Sequence, residues 1–597
     1  MSHSLVSPAP GLPEAWARLN ARIAVTQVWV LTAAFAALVF IPWLGAVGLW
    51  DPWETHYSEV GRSMLERGDL VHPFWEKAWF FSKPPLTPWL AALGLWAVRD
   101  PGQGPLPLYA EWAIRLPFAL LAIAAVGLLS HAVGRLASRT AGLACGLVLT
   151  TMPLFFFTAR QAMTDPPFVA CITIGWACAL LGQLDANSSA ATRSRWWLGF
   201  YAAMGFAALG KGLLGGLPAV CWMAWWLLAR PTTLRAQVAQ MRLAQGALLF
   251  GVIALPWYVA MVAFDGKDLE GLVFWRRFFL HDHLDRFAAG VHTTTPGGSF
   301  TYFVEQGGYA VFPWVALIPG ALAEALRVRL NEQTTQAQLT AWAVICAGFT
   351  FALFSFSATK FHHYVMPALP ALAVLIGLFI ARLLEEGVRP HALALFLGLA
   401  FFGLVGRDLA SQPRHFLDLF TYNYDRPYPE FLITQPLWGL SGLTVKTALG
   451  MAFGLEAVLG IIAMIKRSAR GVMGVTSGLA LGLALWLSWS HWVSLSHHWT
   501  QRDLFWRYWA QSGPAEPIAA FMMDWKGETF YSRNKVVQLG PNNAAADLPR
   551  FIAQPGHKWM LLEHNRLNFL RGTIPAEHAM KTIEPSLNNK FVLVRID

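Results

Sequence analysis

The sequence predicts an all-helical protein that crosses a membrane many times and carries a small α/β domain at its C-terminal end. First, 55% of the 597 residues are hydrophobic and only 13% are charged, whereas soluble domains average about 25% charged residues. Second, apolar segments of about 20 residues, the length that crosses a bilayer core, recur between residues 28 and 490. Third, the composition after Ser490 becomes polar and resembles that of a soluble domain.

Hydropathy places about 13 membrane spans in the first of two predicted domains, residues 1–490. The predicted spans lie near residues 28–48, 113–133, 142–157, 167–183, 196–210, 212–229, 246–264, 309–325, 338–357, 365–381, 391–405, 447–465 and 472–490. The first apolar run is too long for a signal peptide and has no small-residue cleavage site, so we expect a retained helix. The 5 cysteines lie in or beside apolar segments, which favours neither disulfides nor a cysteine metal site.

Basic residues in alternate short connections predict the orientation of the chain. Because such residues face the cytoplasm, the first long loop, residues 51–111, and the second domain, residues 491–597, are expected outside. The same preference explains the net charge of +10 without nucleic-acid binding. The basic residues are Arg135, Arg139, Arg193, Arg195, Arg230, Arg235, Arg242, Arg327, Arg329, Lys466, Arg467 and Arg470.

The two outer regions have predicted elements of their own. In the first loop, residues 54–67 form a predicted interfacial helix with one apolar and one charged side. Residues 84–98 are predicted to be interfacial or re-entrant, since another span would invert the later basic loops. In the C-terminal domain, the sequence predicts a helix within residues 517–525 and strands at 529–532, 558–562 and 590–596.

Polar residues near the outer ends of the spans converge on one face of the protein. Ionisable groups near a bilayer are costly, so each is a functional candidate. Lysines and arginines would neutralise a leaving phosphate, and a carboxylate would take a proton from the attacking group. The residues and segments are Asp51, Glu54, Lys83, Arg160–Asp165, Lys211, Arg276–Arg286 and Lys360–Tyr364.

Each of these signals also has a purely structural interpretation. Asp51 and Glu54 would cap the first-loop helix, and Asp165, which precedes a proline, would start another helix. Lys211 lies in a Gly-Lys-Gly turn, where a lysine commonly extends towards the membrane surface. The His281–Asp285 run contains metal-ligand residue types, but such runs are also common in hydrated loops.

Seven short motifs, in this order, resemble those of bacterial GT-C transferases related to the aminoarabinose transferase of lipid A and to protein O-mannosyltransferases. The motifs are Glu54-Thr55-His56-Tyr57 with Glu59, Lys83-Pro84-Pro85-Leu86, Arg115-Leu116-Pro117, Ala159-Arg160 with Met163-Thr164-Asp165, Lys211-Gly212, His283 with Arg286-Phe287, and Lys360 with Tyr364. The resemblance runs along nearly the whole chain. It implies a GT-C fold in a bacterial inner membrane, with the active site on the periplasmic face.

The resemblance also implies a reaction and residue roles. A sugar would pass from a polyprenyl-phosphate donor to a lipid A, other glycolipid, polysaccharide or protein acceptor, with inversion at the anomeric carbon. Asp51 or Glu54 would be the base. The implied donor-phosphate contacts are Lys83, Lys211, Lys360 and Arg286, and the implied pocket residues are Tyr57, Arg160, Asp165, His283 and Tyr364. A divalent cation is possible but not required, and His283 with acidic loop residues would be its ligands.

The first-loop motif departs from the family pattern at two positions. The family has an adjacent Asp-Glu pair before Thr-Arg-Tyr, whereas this chain has Trp53 before Glu54 and His56 in place of the arginine. A kink at Pro52 would return the Asp51 carboxylate to the usual place, so Asp51 is the favoured base and Glu54 the alternative. Histidine at residue 56 would make the local charge sensitive to pH.

Two other functions remain compatible with the residues. A transporter or flippase of lipid-linked sugars would also need many spans and basic residues, but it would place polar residues at mid-depth and often contain an internal repeat. A noncatalytic glycolipid-binding relative would keep the lysines and lose the base. The sugar and the acceptor are not predicted from sequence, although the loops at 288–299 and 412–435 and the C-terminal domain are expected to select the acceptor.

Overall fold

The computed structural model describes residues 25–285, 300–357, 361–418, 436–513, 516–575 and 577–597. Its N-terminal half is almost entirely helical. The helices are α1 (Val25–Phe40), α2 (Trp53–Arg67), α3 (Leu86–Ala97), α4 (Ala110–Leu136), α5 (Arg139–Thr151), α6 (Pro153–Ala159), α7 (Asp165–Leu184), α8 (Ala190–Lys211), α9 (Leu217–Ala229), α10 (Leu234–Met241) and α11 (Leu243–Val262). A short antiparallel hairpin of β1 (Phe74–Trp75) and β2 (Ala78–Trp79) separates α2 from α3.

The second half of the membrane region begins with a π-helical segment, Arg276–Asp285. The helices that follow are α12 (Phe300–Val311), α13 (Ile318–Arg327), α14 (Thr335–Phe356), α15 (Leu369–Glu386), α16 (Ala392–Ser411), α17 (His415–Asp418), α18 (Val445–Ile465), α19 (Ala469–Trp486) and α20 (Trp492–Trp499). Large buried tryptophans and phenylalanines from both halves join these helices into one apolar core.

The predicted number of about 13 spans is not confirmed. In the described ranges, 9 helical stretches are long and apolar enough to cross a membrane, or 11 if each of 2 bent pairs is one span. The spans predicted at 196–210 and 212–229 belong to one stretch, Ala190–Ala229. The α5–α6 pair bends by 68° at Pro153, because proline cannot continue the hydrogen bonding of the preceding turn. Hydropathy measures apolar length and does not detect such joins and bends.

The first outer loop is folded, and most of its first helix is buried. Helix α2 confirms the predicted helix at 54–67, but part of its charged side is buried. Glu59 and Arg62 form an ion pair of 2.7 Å whose side chains are 1% and 3% exposed, whereas the Glu66 side chain is 55% exposed. Helix α3 occupies the predicted interfacial segment and packs against α2 and α4. Most of α2 is therefore packed inside the protein, while other parts of the loop remain exposed.

The C-terminal region forms a five-stranded mixed sheet of order β4-β3-β5-β7-β6. Its strands are β3 (Ile518–Phe521), β4 (Val537–Leu539), β5 (Lys558–Glu563), β6 (Met580–Ile583) and β7 (Phe591–Ile596). Its helices are α21 (Arg502–Gln511), α22 (Gly527–Tyr531), α23 (Ala544–Ile552) and α24 (Leu567–Thr573). Strand β3 pairs in parallel with β4 and β5, and β7 pairs antiparallel with β5 and β6.

Two of the predicted C-terminal strands, at 558–562 and 590–596, are confirmed as β5 and β7. The predicted helix at 517–525 is wrong, because residues 518–521 form β3, and the predicted strand at 529–532 is wrong, because residues 527–531 form α22. All four residues of β3 are buried between two partner strands. Burial and pairing outweigh the helix propensity of its two alanines.

The C-terminal domain is attached to the first outer loop by a buried ion pair. Arg533 donates two hydrogen bonds, of 2.6 and 2.7 Å, to the carboxylate of Asp100. Its guanidinium also donates to the backbone carbonyls of Gly104 and Pro105. A second contact joins the same regions, since the Thr529 hydroxyl lies 2.9 Å from a carboxylate oxygen of Glu76.

Replacing Arg533 with alanine is expected to destabilise this attachment by about 3–5 kcal/mol, because it leaves the Asp100 charge buried without its partner. We expect faster hydrogen exchange in residues 98–106 and a lower melting temperature. The control is Arg550→Ala, which removes a guanidinium that is 83% exposed and pairs with Asp547 at 3.5 Å. Equal effects of the two substitutions would contradict the importance of the buried pair.

Candidate functional site

Two cavities adjoin at the end of the membrane region that is covered by the first loop. One has a volume of about 210 Å³, and we call it the polar cavity because several charged side chains line it; its lining includes Trp53, His56, Tyr57, Lys83, Asp165, Lys211, Arg277, Asp282, His363 and Tyr364. The other, of about 290 Å³, is the apolar groove; its lining includes Pro84, Leu213, Leu214, Phe278, His283, Leu284, Leu353 and Phe354. Five residues line both cavities: Ser82, Lys83, Lys211, Asp282 and Tyr364. Lys83 and Lys211 therefore lie where the polar and apolar spaces meet.

The backbone around Lys83 fixes the position of this side chain. Pro84 restricts Lys83 to non-helical conformations, and Pro85 is the N-cap residue of α3. Lys83 therefore stands immediately before a helix that packs inside the protein. Lys83 lines both spaces, and its role as a contact of the donor phosphate stays a prediction.

Lys211 and Asp165 come from the ends of neighbouring helices. Asp165 begins α7 and Lys211 ends α8, and each charge is favourable next to the partial charge of its own helix end. The Lys211 Nζ atom lies 2.5 Å from Asp165 Oδ1. His363 approaches the other carboxylate oxygen, with Nε2 at 3.6 Å from Oδ2. The carboxylate therefore holds the lysine at the junction of the two cavities.

Gly212 allows the chain to leave α8 next to this lysine. Its φ is +62°, in the left-handed region that favours glycine. A Cβ atom at this position would lie 2.6 Å from His283 Nε2 and 2.7 Å from the Phe278 ring. Lys211 therefore stands next to a position where the backbone passes close to the side chains of His283 and Phe278.

The two predicted bases, Asp51 and Glu54, are buried outside both cavities. Glu54 forms an ion pair of 2.6 Å with Arg115 and accepts hydrogen bonds from the backbone N–H groups of Trp50 and Ala162. Asp51 accepts hydrogen bonds from the Thr55 hydroxyl at 2.6 Å and from Gln501 Nε2 at 2.9 Å. None of these contacts is to a backbone amide of α2, whose N-cap residue Pro52 has no side-chain cap hydrogen bond, so they do not support the helix-capping interpretation. The role of base stays a prediction for either carboxylate.

Arg160 is also a buried anchor rather than part of a cavity lining. Its guanidinium donates hydrogen bonds to the carbonyls of Val39, Phe40, Pro42 and Ser488. It therefore ties the end of α1 to the region before α20. The predicted pocket role of Arg160 has no geometric support among these contacts.

Of the other predicted site residues, three line a cavity and two lie outside the described residues. Tyr57 lines the polar cavity, His283 the apolar groove and Tyr364 both. The His283 Nδ1 lies 2.7 Å from the carbonyl of Phe278, and burial lowers the pKa of this imidazole. Arg286 and Lys360 lie outside the described residues, as do the loop at 288–299 and most of the loop at 412–435, which were expected to select the acceptor.

Several cavity residues were not among the predicted site residues. They are Trp53, His56, Arg277, Asp282 and His363. Trp53, His56 and Tyr57 stand at helical spacing on one side of α2, which is a signal that the sequence contains. Arg277, Asp282 and His363 were not named individually, but they lie within the candidate segments Arg276–Arg286 and Lys360–Tyr364. The Arg277 guanidinium lies 2.6 Å from Glu270 and 3.6 Å from Asp282.

A metal site is not assigned. Within the described ranges, no group of three or more His, Cys, Asp or Glu residues is arranged to hold a metal ion. His283, the ligand suggested from sequence, uses one ring nitrogen on a backbone carbonyl.

Comparison with known proteins identifies the class of this protein. A family model of dolichyl-phosphate-mannose-protein mannosyltransferases matches residues 82–259. The undecaprenyl phosphate-alpha-4-amino-4-deoxy-L-arabinose arabinosyl transferase of Pseudomonas paraeruginosa is 30% identical over 433 residues, which cover 70% of this chain and 71% of the relative. The enzyme of that name from Edwardsiella ictaluri is 27% identical over 398 residues, covering 64% of this chain and 67% of the relative.

A solved structure matches along nearly the full length. ArnT from Cupriavidus metallidurans, bound to undecaprenyl phosphate, aligns with a TM-score of 0.70 and 21% identity over 96% of this chain and 98% of that one. The fold is therefore the GT-C fold of a multi-pass membrane glycosyltransferase. The chain belongs to the family of the undecaprenyl phosphate-alpha-4-amino-4-deoxy-L-arabinose arabinosyl transferases, which agrees with the resemblance seen in its motifs and favours an enzyme over a transporter.

Proposed function

We propose that this glycosyltransferase moves a sugar from undecaprenyl phosphate to lipid A at the periplasmic face of a bacterial inner membrane. The observation that carries the proposal is the position of Lys83 and Lys211 between an apolar groove and a polar cavity. The groove suits the polyprenyl chain, the polar cavity suits the sugar, and the two ammonium groups suit the phosphate that joins them. A 4-amino-4-deoxy-L-arabinose donor follows from the names of the relatives.

In the proposed reaction, an acceptor oxygen attacks the anomeric carbon from the side opposite the phosphate, which inverts that carbon. The bond from this carbon to the phosphate oxygen breaks, and its electron pair leaves with undecaprenyl phosphate. Lys83 and Lys211 stabilise the charge that develops on this oxygen. Asp165 keeps Lys211 in place through their ion pair, so we assign Asp165 a positioning role.

The proposed division of the chain follows from the same arrangement. Residues 1–490 form the membrane-embedded catalytic domain, residues 51–111 its first periplasmic loop, and residues 491–597 a periplasmic α/β domain. The basic connections predicted to face the cytoplasm support this orientation. The contact between Arg533 and Asp100 supports it as well, because it requires the first loop and the C-terminal domain to be on one side of the membrane.

The test uses the purified protein in liposomes with radiolabelled undecaprenyl-phosphate sugars and lipid A. We expect transfer by the wild type and about 100-fold slower transfer by Asp165→Asn, since a displacement of about 1 Å in a catalytic group has an effect of this size. Asp185→Asn is the matched control, because Asp185 is also buried and pairs with Arg135 at 2.8 Å but lines neither cavity. Absence of transfer from every donor would contradict the proposed function.

A further inference from the structure

Another cavity, of about 430 Å³, lies at the edge of the C-terminal sheet, and we call it the strand-edge cleft. This volume is within the range of small-molecule sites, roughly 300–1,000 Å³. The lining combines residues at or after the ends of β3, β4 and β5 with one residue of the first outer loop. The lining residues are Glu76, Met522, Met523, Asp524, Trp525, Gln538, Gly540, Pro541, Glu563 and Arg566. The cleft therefore lies between the C-terminal domain and the first outer loop.

The order of the strands makes this edge a favourable place for a ligand. Strand β3 lies between β4 and β5 and is parallel to both, so the chain crosses from one side of β3 to the other between β4 and β5. The two crossover helices cover opposite faces of the sheet. Phe530 of α22 belongs to one buried cluster with Ala520, whereas Leu548 of α23 belongs to another with Ala519. Such a reversal opens a crevice at the carboxyl ends of the strands, where α/β sheets bind their ligands.

Arg566 presents an unsatisfied hydrogen-bond donor in the cleft. Its Nη1 atom is buried, and no group within the described ranges is hydrogen-bonded to it. The Nε atom lies 3.9 Å from a carboxylate oxygen of Glu563, and the Arg566 side chain is 33% exposed. Buried polar groups are nearly always paired in folded proteins. Because a guanidinium only donates hydrogen bonds, the partner that Nη1 requires is an acceptor atom.

The other lining side chains offer acceptors and an aromatic surface. The Trp525 Nε1 atom donates to a carboxylate oxygen of Glu563 at 2.6 Å, which fixes the indole beside the cleft. Carboxylates have several acceptor positions, and the Gln538 amide both donates and accepts. A sugar ring has hydroxyl groups that donate and accept, together with an apolar C–H face that packs on indole. The lining therefore fits a sugar ring.

The charge of the lining argues against a phosphate in the cleft. Three of its residues are carboxylates, and Arg566 is the one cation among the lining residues that the structure describes. Two lysines outside the lining balance part of this charge, since Lys526 pairs with Asp524 and Lys590 lies 3.8 Å from Glu563. Like charges placed together are costly. A neutral or amino sugar is therefore a better ligand than an anion.

The hairpin of the first outer loop connects the cleft to the polar cavity. Glu76, at the turn of the hairpin, accepts a hydrogen bond of 2.9 Å from the Thr529 hydroxyl through its carboxylate. Its backbone carbonyl accepts another, of 3.1 Å, from Asn534 Nδ2. The preceding residue, Trp75, stacks on His56 with ring centroids 4.2 Å apart, and His56 lines the polar cavity. A molecule held in the cleft is thus close to the space proposed for the donor sugar.

We propose that the strand-edge cleft binds a sugar ring of the acceptor. The carboxylates of Glu563 and Asp524 accept hydrogen bonds from its hydroxyl or amino groups, and Arg566 donates to a hydroxyl oxygen. The indole of Trp525 packs against the ring. This inference rests on the proposed function, and it gives the C-terminal domain the role of holding the acceptor while another part of it reacts in the polar cavity.

The first test measures sugar transfer to lipid A in liposomes by Arg566→Met and Glu563→Gln. Arg571→Met is the matched control, because Arg571 is an exposed arginine of α24 that does not line the cleft. We expect each cleft variant to raise the KM for lipid A about 10-fold, the effect of losing one hydrogen bond to a charged group. The kcat, the binding of undecaprenyl phosphate and the behaviour of Arg571→Met are expected to stay as in the wild type. An unchanged KM in both cleft variants, or a fall in kcat alone, would overturn the inference.

The second test measures binding directly and needs no sugar transfer. A soluble glucosamine disaccharide is titrated into the full-length protein in detergent, and its binding is followed by saturation-transfer NMR. We expect the wild type and Arg571→Met to bind the disaccharide, and both cleft variants to bind it about 10-fold more weakly. Equal binding by all four proteins, or displacement of the disaccharide by inorganic phosphate, would overturn the inference. Absence of transfer by a wild type that still binds the disaccharide in the cleft would contradict the proposed function and leave a sugar site that serves no acceptor.

Discussion

Lys83→Ala is expected to lower kcat/KM for sugar transfer about 1,000-fold, the upper range for removing one group that stabilises a developing oxyanion. Lys83 lines both the polar cavity and the apolar groove. In the proposed reaction its ammonium group contacts the phosphate before and during the displacement. Binding of undecaprenyl phosphate is therefore expected to weaken along with the rate.

The control for this prediction is Lys77→Ala. Lys77 lies in the same outer loop, is exposed and lines neither cavity, so its removal changes the loop charge by the same amount. Binding and transfer can be measured with labelled undecaprenyl phosphate and with the liposome assay. Similar activities of the two variants would show that only general attraction by the loop charge matters.

Arg115→Met is expected to lower the free energy of unfolding by about 3–5 kcal/mol, because it leaves the Glu54 carboxylate buried without its cation. The Arg115 side chain is fully buried and the Glu54 side chain is 1% exposed. Arg115 also donates hydrogen bonds to the carbonyls of Leu44, Val47 and Gly48. The substitution removes all of these contacts and frees the turn between α1 and α2.

A double variant separates the buried charge from the lost packing. Arg115→Met with Glu54→Gln removes both charges, and we expect it to recover part of the lost stability. Thermal unfolding in detergent, followed by the fluorescence of the many tryptophans, provides the comparison. A double variant less stable than Arg115→Met would contradict the view that the unpaired carboxylate is the main cost.

Much of the fold could be predicted because the membrane constrains it. Apolar length alone located most of the spans, and helical periodicity located α2. The span count could not be obtained in this way, because apolar length alone does not detect the bend at Pro153 or the join at Gly212. The helix predicted at 517–525 and the strand predicted at 529–532 were also wrong. Residues 518–521 form β3 through pairing with strands that are distant in the sequence, and local sequence patterns do not show such pairing.

The candidate site was partly predictable for a different reason. Lys83, Asp165 and Lys211 stand beside prolines and glycines that end or begin helices, and such positions are visible in the sequence. For Asp51 and Glu54, the sequence showed carboxylates next to a membrane but not their partners. Their partners, Gln501 and Arg115, lie far away in the chain, and only the folded structure brings them together.

The hydrogen bond between Asp51 and Gln501 joins residues 450 positions apart in the chain. During synthesis the first loop therefore emerges long before the residues that secure it. A ribosome that has made every membrane span has still not made Gln501 or Arg533, so the nascent protein reaches the bilayer with its first loop not yet joined to the C-terminal domain. The enzyme is completed by its last hundred or so residues, and a chain that stops short of them is expected to insert into the membrane without acquiring a finished active site.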